Sequence, residues 1–334
     1  MTLNATPLNI EYLGGPQVSA LSLSNDEILT AVERGLIAAG KGETVIEPRM
    51  HLAPGRSNGH FNVLRGVFGD YAGVKVVGDF VDNYKSGLPS EMALLNLFDP
   101  VTGAPKAVID AAGITDMRTG AVTALGAKYL APSSPKILGH IGARGTAYWN
   151  LRLLDHLFDF DEIRVHSRRP ESRNPFGERL AADLGKKITV TDDWESCLNG
   201  ADILVEASRL PEPAPLFKRE WLRKGALVIP YGTMSTLPMN FMDGIDAFVM
   251  DDLGQMNAGG FGALRPHINA GIITRESFYA EVGEIAAGMK SGRTSDDQTI
   301  LFWHRGLATS DIALGVYMLE KARKMGIETT LPYA

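Results

Sequence analysis

A glycine-rich turn in the middle of the chain has the residue types that can bind a phosphate group. The apolar run Ile137–Ile141 leads into this turn, and the turn leads into a helix that we predict over Tyr148–Phe158. A strand, a glycine turn and a helix in this order bring a dinucleotide pyrophosphate to a helix N-terminus. An ordinary strand-to-helix turn is the alternative, because Arg144 stands where a second glycine normally lets the backbone approach phosphate. The predicted cofactor-binding residues of the turn are Gly139, Gly142, Ala143, Arg144, Gly145 and Thr146.

Two arginines and one lysine before this turn could bind a substrate carboxylate. Arg49 follows a proline in a region of short strands, and Arg118 lies in a helical segment. A guanidinium holds a carboxylate through two parallel hydrogen bonds, although a surface ion pair is the alternative for each arginine. Lys75 alternates with valines, so its side chain points either to an exposed sheet face or into a pocket. In a pocket, burial and the arginines would lower its pKa and make it a proton donor or acceptor.

Composition and charge predict a globular protein of the cytoplasm. The 334 residues are 45% hydrophobic and 22% charged, and no apolar run approaches the roughly 18 residues of a membrane span. The net charge of −6 argues against a nucleic-acid partner, and the N-terminal residues lack the basic and apolar regions of a signal peptide. The single cysteine, Cys197, excludes an internal disulfide and a cysteine-based metal cluster, and it fits a reducing compartment. We therefore expect no metal site and no membrane partner.

The pattern of the chain changes at a linker, Ala131–Pro135, which predicts two domains. Before it we predict a helix over Asp26–Gly40, short strands within Val45–Ile109 and a helix over Asp116–Leu130. After it, apolar strands alternate with helical segments, which indicates an α/β fold with a parallel sheet covered on both faces. The last helix, over Ser310–Met325, is expected to pack back on the N-terminal part. The predicted strands after the linker are Ile137–Ile141, Ile163–His166, Ile188–Val190, Ile203–Ala207, Ala226–Ile229 and Ala247–Met250.

A series of short motifs follows the chain in a fixed order. They are Pro48-Arg49, Lys75 between valines, Gly87-Leu88-Pro89-Ser90, Thr115 to Ala121 around Arg118, Ala201 to Leu204, Lys224 to Ala226, Asp246 to Val249, and Gly292 through Phe302 and Gly306 to Asp311. This ordered series resembles the ornithine cyclodeaminase/mu-crystallin family over nearly the whole chain. Members of that family are usually homodimers that bind NAD or NADP, and they reduce imines, oxidise amines or cyclise diamino acids.

The resemblance implies a Rossmann-type doubly wound parallel sheet together with an α+β domain for substrate binding and dimerisation. The substrate domain is expected over residues 1–132, completed by the C-terminal segment 310–334. The dinucleotide-binding domain is expected over residues 133–309.

The resemblance also implies roles for residues that match the family motifs. Arg49 and Arg118 would bind the substrate carboxylate, and Lys75 would act on the substrate. Ser90 would hydrogen-bond to the substrate, although a turn hydroxyl can also serve only its own turn. Thr119 and Ser208 join the residues expected to bind the cofactor.

Two positions depart from the family pattern. Met234 stands where the family's cyclodeaminases carry an acidic residue, and without that carboxylate an amine substrate loses its obvious base. His304 stands between Phe302 and Gly306, where the family often has a small residue beside the nicotinamide. His304 could supply the proton in place of Lys75, or it could be a structural histidine.

The residues after the second predicted strand of the nucleotide domain bear on the choice between NAD and NADP. NAD binding favours an acid there for the ribose 2′-hydroxyl, whereas NADP favours a basic or neutral pocket. The run Ser167-Arg168-Arg169 has two arginines and no acid. We therefore predict that NADP is favoured over NAD. Arg144 either adds charge near the phosphates or points into solvent.

Three functions are compatible with these residues. The first is an NAD(P)H-dependent reductase of a small 2-imino acid, equivalent to an amino-acid dehydrogenase. The second is a cyclodeaminase that reduces and reoxidises a tightly bound nicotinamide within one turnover. The third is a non-enzymatic binder of NADP and a small ligand, of the mu-crystallin type. We favour the reductase, with Arg49, Lys75 and Arg118 holding and polarising a small substrate that carries a carboxylate.

Overall fold

The computed structural model describes residues 7–57 and 59–334 of the chain. The described residues form two compact units. Unit 1 extends to Arg118 and also includes Leu307–Ala334, and unit 2 is Thr119–Gly306. Within the described ranges, none of the helices combines the length and the apolar character that a membrane span requires. The functional domain boundaries near the Ala131–Pro135 linker stay a prediction.

The first part of the chain is rich in consecutive strands, and helices separate most strands in the middle of the chain. The first part contains β1 (Asn9–Leu13), α1 (Gly15–Ala20), α2 (Asn25–Gly40), β2 (Thr44–Leu52), β3 (His60–Phe68), β4 (Tyr71–Asp79), β5 (Glu91–Phe98), β6 (Pro105–Asp110) and α3 (Ala112–Leu130). The chain continues with β7 (Ile137–Ile141), α4 (Gly145–Phe158), β8 (Glu162–His166), α5 (Pro170–Leu184), β9 (Ile188–Val190), α6 (Trp194–Leu198), β10 (Ile203–Glu206) and β11 (Leu227–Pro230). It ends with β12 (Ala247–Met250), α7 (Arg265–Asn269), β13 (Phe278–Glu281), α8 (Val282–Ala286), β14 (Ile300–Trp303), α9 (Ala308–Met325) and β15 (Thr329–Pro332).

The sheet of unit 1 has mixed strand directions. In the described part of the chain its order is β15-β1-β6-β5-β4-β3-β2. β1 runs parallel to β6, and the other neighbouring strands are antiparallel. β5 and β6 form a hairpin within the region where short strands were predicted, and Leu95 pairs with Ile109 in it. Unit 1 is therefore the α+β part of the fold.

The last helix, α9, covers one face of this sheet because glycine leaves space for it. A Cβ at Gly73 of β4 would lie only 2.4 Å from Cγ1 of Ile312 on α9. Side chains alternate along a strand, so Lys75 and Val77 point to the same face as Gly73. Helix α9 begins at Ala308, two residues before its predicted start. The face that carries Lys75 is therefore the covered face of the sheet.

The sheet of unit 2 is parallel throughout. Among the described residues its order is β13-β12-β14-β11-β10-β7-β8-β9, and each neighbouring pair is parallel. Every strand predicted after the linker is present, within one residue of its predicted bounds. β13 and β14 were not predicted as strands, and β14 lies between β11 and β12 in the sheet.

Helices cover both faces of this parallel sheet. On one face, a Cβ at Gly139 of β7 would lie 2.5 Å from the carbonyl oxygen of Cys197 on α6. On the other face, Nε2 of the neighbouring His140 lies 2.9 Å from Nδ2 of Asn150 on α4. The strand order reverses between β7 and β10, and at such a switch point doubly wound sheets bind nucleotides. The fold is a Rossmann-type doubly wound sheet, as predicted.

Candidate active site

Three charged side chains of unit 1 form one buried cluster. Lys75 Nζ on β4 donates hydrogen bonds to Asp311 Oδ1 on α9 at 2.5 Å and to Thr115 Oγ1 on α3 at 3.0 Å. Arg118 Nε donates to the same Asp311 Oδ1 at 2.9 Å. The exposed fraction is 1% for Lys75, 6% for Arg118 and 0% for Asp311. The alternative of an exposed Lys75 on the sheet surface is therefore wrong.

The charges in this cluster favour an anionic ligand. Burial lowers the pKa of Lys75 to about 8, and the positive charges of Arg118 and Arg49 also lower it, whereas Asp311 opposes the shift. Two buried cations, Lys75 and Arg118, share the single carboxylate of Asp311. Buried charge is costly unless it is compensated, so the excess positive charge favours a bound anion. The cluster therefore suits the carboxylate of a substrate.

Arg49 lies on β2, and Ser90 immediately precedes β5 of the same sheet. The pairing of β2 with β3 is irregular around Pro48, which has no N–H to donate to the ladder. Arg49 is half-buried, and the next residue, Met50, is exposed on the opposite face. Ser90 precedes β5, and its backbone carbonyl oxygen accepts the N–H of Phe80 at 2.8 Å. The roles of both residues toward a substrate stay predictions.

The predicted phosphate turn of unit 2 has the backbone that a dinucleotide needs. Gly142 has a φ of +121°, and a Cβ there would lie 3.0 Å from the carbonyl oxygen of Ala207. Only glycine fits such a position without strain. Helix α4 begins at Gly145, three residues before its predicted start, and its N-cap residue Arg144 is exposed and makes no side-chain cap. Uncapped N–H groups at a helix N-terminus attract phosphate oxygens, so the turn fits a pyrophosphate.

A chain of polar side chains supports the N-terminus of α4. Tyr231 OH donates to Thr146 Oγ1 at 3.2 Å, and Asn150 Nδ2 donates to Tyr231 OH at 2.6 Å. The same Asn150 amide lies 2.9 Å from His140 Nε2. Burial lowers the pKa of His140 to about 4, so a neutral imidazole accepts this hydrogen bond. These bonds fix Thr146 beside the predicted phosphate turn.

His304 follows β14 and lies in the interior of unit 2. It is 2% exposed, and its Nε2 lies 3.0 Å from Oγ1 of Thr123 on α3. The ring centroid of His304 lies 4.5 Å from that of Tyr231 and 5.4 Å from that of Phe302. Thr123 Oγ1 also donates to the carbonyl oxygen of Thr119, which is the predicted cofactor residue on α3. Thr123 thus links His304 to Thr119, and the proton-donor role of His304 stays a prediction.

Positive side chains follow the second strand of the parallel sheet. Arg173 Nη1 donates to the carbonyl oxygen of Ser167 at 3.1 Å and thereby fixes the turn between β8 and α5. Arg168 is exposed, and so is Arg169, the N-cap residue of α5. The two guanidinium groups are therefore available at the end of β8.

Three polar residues that are buried or half-buried were not predicted from the sequence as site residues. Asp311 served only as a motif landmark, although its charge stands among the apolar residues of the last helix. Tyr231 was read as part of the loop after β11, and nothing in the sequence indicates that its hydroxyl reaches α4. Glu206 ends the apolar run of β10, and a carboxyl group in such a run is a signal that could have been used.

Comparison with known proteins gives consistent matches along the chain. The model of the ornithine cyclodeaminase/mu-crystallin family matches residues 16–326. An alanine dehydrogenase of Archaeoglobus fulgidus is 30% identical over 315 residues, which are 93% of this chain and 95% of that protein. The Δ(1)-pyrroline-2-carboxylate reductase of Thermococcus litoralis, solved with NADH and L-proline, has a TM-score of 0.88 and 29% identity, with 96% of this chain and 99% of that chain covered.

A second solved structure is similar over the same length. It is an archaeal alanine dehydrogenase dimer with bound NAD, with a TM-score of 0.89 and 29% identity, and the match covers 98% of this chain and 100% of that chain. The family model spans most of the chain, and the matched range includes the buried cluster of unit 1 and the parallel sheet of unit 2. The chain belongs to the ornithine cyclodeaminase/mu-crystallin family.

Proposed function

We propose that this protein is an NAD(P)H-dependent reductase of a small 2-imino acid, and that in the reverse direction it is an amino-acid dehydrogenase. Its similar proteins include an alanine dehydrogenase and a Δ(1)-pyrroline-2-carboxylate reductase. Both names describe hydride chemistry at a carbon that carries nitrogen and a carboxylate. The reaction consumes one imino acid, one reduced nicotinamide and one proton, and it yields the amino acid and the oxidised nicotinamide.

The observation that carries this proposal is the buried cluster of Lys75, Arg118 and Asp311. A carboxylate bound there would balance the excess positive charge, since one aspartate faces two cations. Arg118 uses its Nε for Asp311, which leaves the terminal guanidinium nitrogens for a substrate carboxylate. Binding through fixed charged groups holds the reacting carbon in place for hydride transfer.

The residues of this chain would position the substrate and move the proton. The dinucleotide, when bound, supplies the hydride in reduction and accepts it in oxidation. Arg118 and Arg49 would hold the carboxylate, and Ser90 would add a hydrogen bond. Lys75 or His304 would donate the proton that keeps the imine cationic, since an iminium accepts hydride more readily than a neutral imine. In unit 2, the turn at Gly142 would hold the pyrophosphate.

A spectrophotometric assay tests this function. Purified protein is incubated with NADPH or NADH and with pyruvate, glyoxylate or a cyclic imino acid, together with ammonia or methylamine for the keto acids. A reductase lowers the absorbance at 340 nm in proportion to the amine that forms. A cyclodeaminase instead releases ammonia from ornithine without net cofactor turnover, and a binding protein does neither.

The loop after β11 argues against ornithine cyclisation. Met234 lies in this loop and has no group that can take a proton from a substrate amine. We therefore expect little or no proline from ornithine with catalytic NAD or NADP. Efficient formation of proline and ammonia would overturn the choice of a reductase.

We also propose that NADP is the preferred cofactor. The exposed Arg168 and Arg169 at the end of β8 support this proposal, because a ribose 2′-phosphate attracts guanidinium groups. The two similar solved structures contain NADH or NAD and do not support a preference for NADP. The proposed preference for NADP therefore rests on the side chains of Arg168 and Arg169. Comparing the Kd of NADPH with that of NADH tests it directly.

A homodimer is the assembly that we propose. One row of apolar side chains crosses four neighbouring strands on the face of the sheet opposite to Lys75. We call it the outer row, and its members are Met50 of β2, Val63 of β3, Val76 of β4 and Leu94 of β5. Met50 is 55% exposed and Leu94 is 48% exposed. Contiguous exposed apolar surface on a folded protein commonly marks a protein–protein interface. A solved relative is a dimer, and size-exclusion chromatography with light scattering tests the state of this protein.

A further inference from the structure

A fully buried carboxyl group lies at the end of β10, where the proposed chemistry does not use it. Glu206 is the last residue of this strand and is 0% exposed. Its Oε1 accepts the N–H of Ser208 at 2.8 Å, and its Oε2 makes no hydrogen bond within the described residues. No lysine, arginine or histidine among the described residues forms an ion pair with it. A buried carboxylate without a cation is strongly disfavoured, so the local structure selects the neutral acid.

Glu206 also lies at the switch point of the parallel sheet. It is in register with Ile141, the residue that precedes Gly142 of the phosphate turn. The next residue after Glu206 is Ala207, and its carbonyl oxygen is the atom that excludes a side chain at Gly142. β7 and β10 are the two strands that flank the switch point of the sheet. The carboxyl group is therefore one residue pair away from the turn that fits a pyrophosphate.

Glycine brings a second loop against this carboxyl group. A Cβ at Gly232, in the loop after β11, would lie 2.5 Å from Glu206 Oε2. The backbone N–H groups of Tyr231 and Gly232 both donate to the carbonyl oxygen of Glu206. Through Ser208 and Gly232, Glu206 contacts the loops that follow β10 and β11. Burial raises the pKa of Glu206 to about 7, and the polar groups of Ser208, Thr236 and Gly232 only partly oppose this rise.

The charged groups of the neighbouring elements do not compensate Glu206. On the flanking segments, His140 and Tyr231 are one residue out of register with it, so their side chains point to the opposite face of the sheet, toward Asn150.

Gly262 donates its N–H to the carbonyl oxygen of Thr233, and three charged groups lie on elements near this contact: Asp251 after β12, Arg265 at the start of α7 and Arg305 after β14. Each of them bonds to other atoms. Asp251 accepts the N–H groups that follow β14. Arg305 donates to the carbonyl oxygens of Gln255 and Phe261, and Arg265 donates to that of Met256. These groups are therefore not partners of the Glu206 carboxyl.

We propose that Glu206 is a positioning residue whose proton is coupled to dinucleotide binding, so that the anionic dinucleotide binds when Glu206 is neutral. The inference rests on the proposed function, because it places a dinucleotide at the switch point. A carboxylate under the phosphate turn would repel the pyrophosphate and would leave the loops at Ser208 and Gly232 around an uncompensated charge. By linkage, binding of the dinucleotide favours uptake of a proton by Glu206.

Calorimetry of NADH binding to the full-length protein tests this coupling. NADH is the probe because its phosphodiester groups do not titrate between pH 6 and pH 8.5. The Kd is measured across this range, and the number of protons taken up at pH 7.5 is obtained from two buffers of different ionisation enthalpy. We expect proton uptake and a Kd at pH 8.5 that is at least about fivefold higher than at pH 6, the lower end of typical couplings.

Two glutamate-to-glutamine variants show whether the proton taken up on NADH binding goes to Glu206 or to another group. Glu206→Gln keeps a neutral side chain, so it should bind NADH about fivefold more tightly than the wild type at pH 8.5, without proton uptake. Glu281→Gln is the matched control. Like Glu206, Glu281 is the last residue of a strand of the parallel sheet, and burial also raises its pKa. It lies on the edge strand β13, which three other strands separate from β10. The control should keep the pH response of the wild type.

The outcomes distinguish this inference from the proposed function. Wild-type binding of NADH without proton uptake, or an unchanged pH response in Glu206→Gln, overturns the coupling and leaves the reductase proposal intact. If Glu206→Gln does not fold, Glu206→Thr replaces it and should show the same loss of proton uptake. The number of protons that the wild type takes up on binding NADH tests the coupling without any variant. Absence of NADH and NADPH binding at every pH overturns the proposed function and this inference together.

Discussion

Asp311 determines how the two cations of the buried cluster are oriented. One of its oxygens accepts from both Lys75 and Arg118, so the two cations are held together although their like charges repel. Removing Asp311 would leave two uncompensated buried charges, whereas adding a second carboxylate improves the balance.

Truncating Arg118 should weaken substrate binding most directly. For Arg118→Ala we expect a loss of about 2–4 kcal/mol in transition-state binding, or a roughly 30- to 1,000-fold lower kcat/KM, because an anionic substrate loses a charge-assisted contact. The control is Arg323→Ala on the same helix as Asp311, since Arg323 pairs with Glu11 at the surface. A folded Arg118→Ala protein with near-normal kcat/KM would show that Arg118 does not hold the substrate.

The pKa of Lys75 predicts a pH dependence with a defined sign. Burial lowers this pKa from 10.5 to about 8, so the fraction of Lys75 that carries a proton falls as the pH rises above 8. If Lys75 is the donor, kcat/KM for imine reduction should fall above pH 8, and kcat/KM for amine oxidation should rise over the same range. In Lys75→Arg the side chain does not titrate in this range, so the change near pH 8 should disappear from both profiles.

His304 is the competing proton donor, and its pH dependence differs from that of Lys75. If His304 is the donor, its own protonation should give a limb of the kcat/KM profile that is separate from the limb of Lys75. His304→Asn should then abolish that limb. If the limb survives and only the melting temperature falls, the ring of His304 serves the packing against Tyr231 and Phe302, and the proton donor is Lys75.

At the scale of elements, the turn between β8 and α5 should determine the cofactor. Replacing Arg168 and Arg169 by serine removes two positive charges near the expected 2′-phosphate. We expect NADPH binding to weaken by about 1.5–3 kcal/mol, the range for hydrogen bonds to charged groups, and NADH binding to change little. Lys187→Ser, another exposed basic residue of unit 2, is the control. Wild-type protein that binds NADH more tightly than NADPH would contradict the preference.

The elements of unit 2 could be predicted because their signals are local. A buried parallel strand is a short apolar run, and runs such as Ile203–Ala207 stand out between polar segments. The start of α4 was predicted three residues late, because Gly145 and Thr146 have weak helix propensity and the helix begins there only through its tertiary position. β14 was not predicted, and its position between β11 and β12 depends on long-range pairing that periodicity does not encode.

The candidate site was only partly predictable, because burial and partner choice are tertiary properties. Lys75 could be placed on one face of a strand by alternation, but the sequence did not show which face α9 covers. Asp311 lies more than two hundred residues from Lys75, so their pairing is invisible in either local sequence. Glu206 looked like part of a strand, and its lack of a cation became evident only in the packed sheet.

At the scale of the whole molecule, the chain divides the proposed chemistry between its units. Unit 1 holds the buried cluster of Lys75, Arg118 and Asp311, and unit 2 holds the parallel sheet with the switch point. Helix α3 supplies Arg118 to the first and Thr119 to the second, so one continuous helix carries neighbouring residues of both sets.

The outer row of unit 1 leads to a prediction for the assembly. Leu94 lies in this row and is 48% exposed, so Leu94→Glu would place a charge within the proposed apolar interface. We expect the wild type to elute at roughly twice the chain mass of 36.1 kDa and the variant to elute as a monomer. Val101→Glu is the control, since Val101 is 90% exposed in the β5–β6 turn outside the row. A monomeric wild type would show that this face is not a dimer interface. A Leu94→Glu dimer of unchanged stability would show the same, because an interface cannot bury an unpaired carboxylate without a loss of stability.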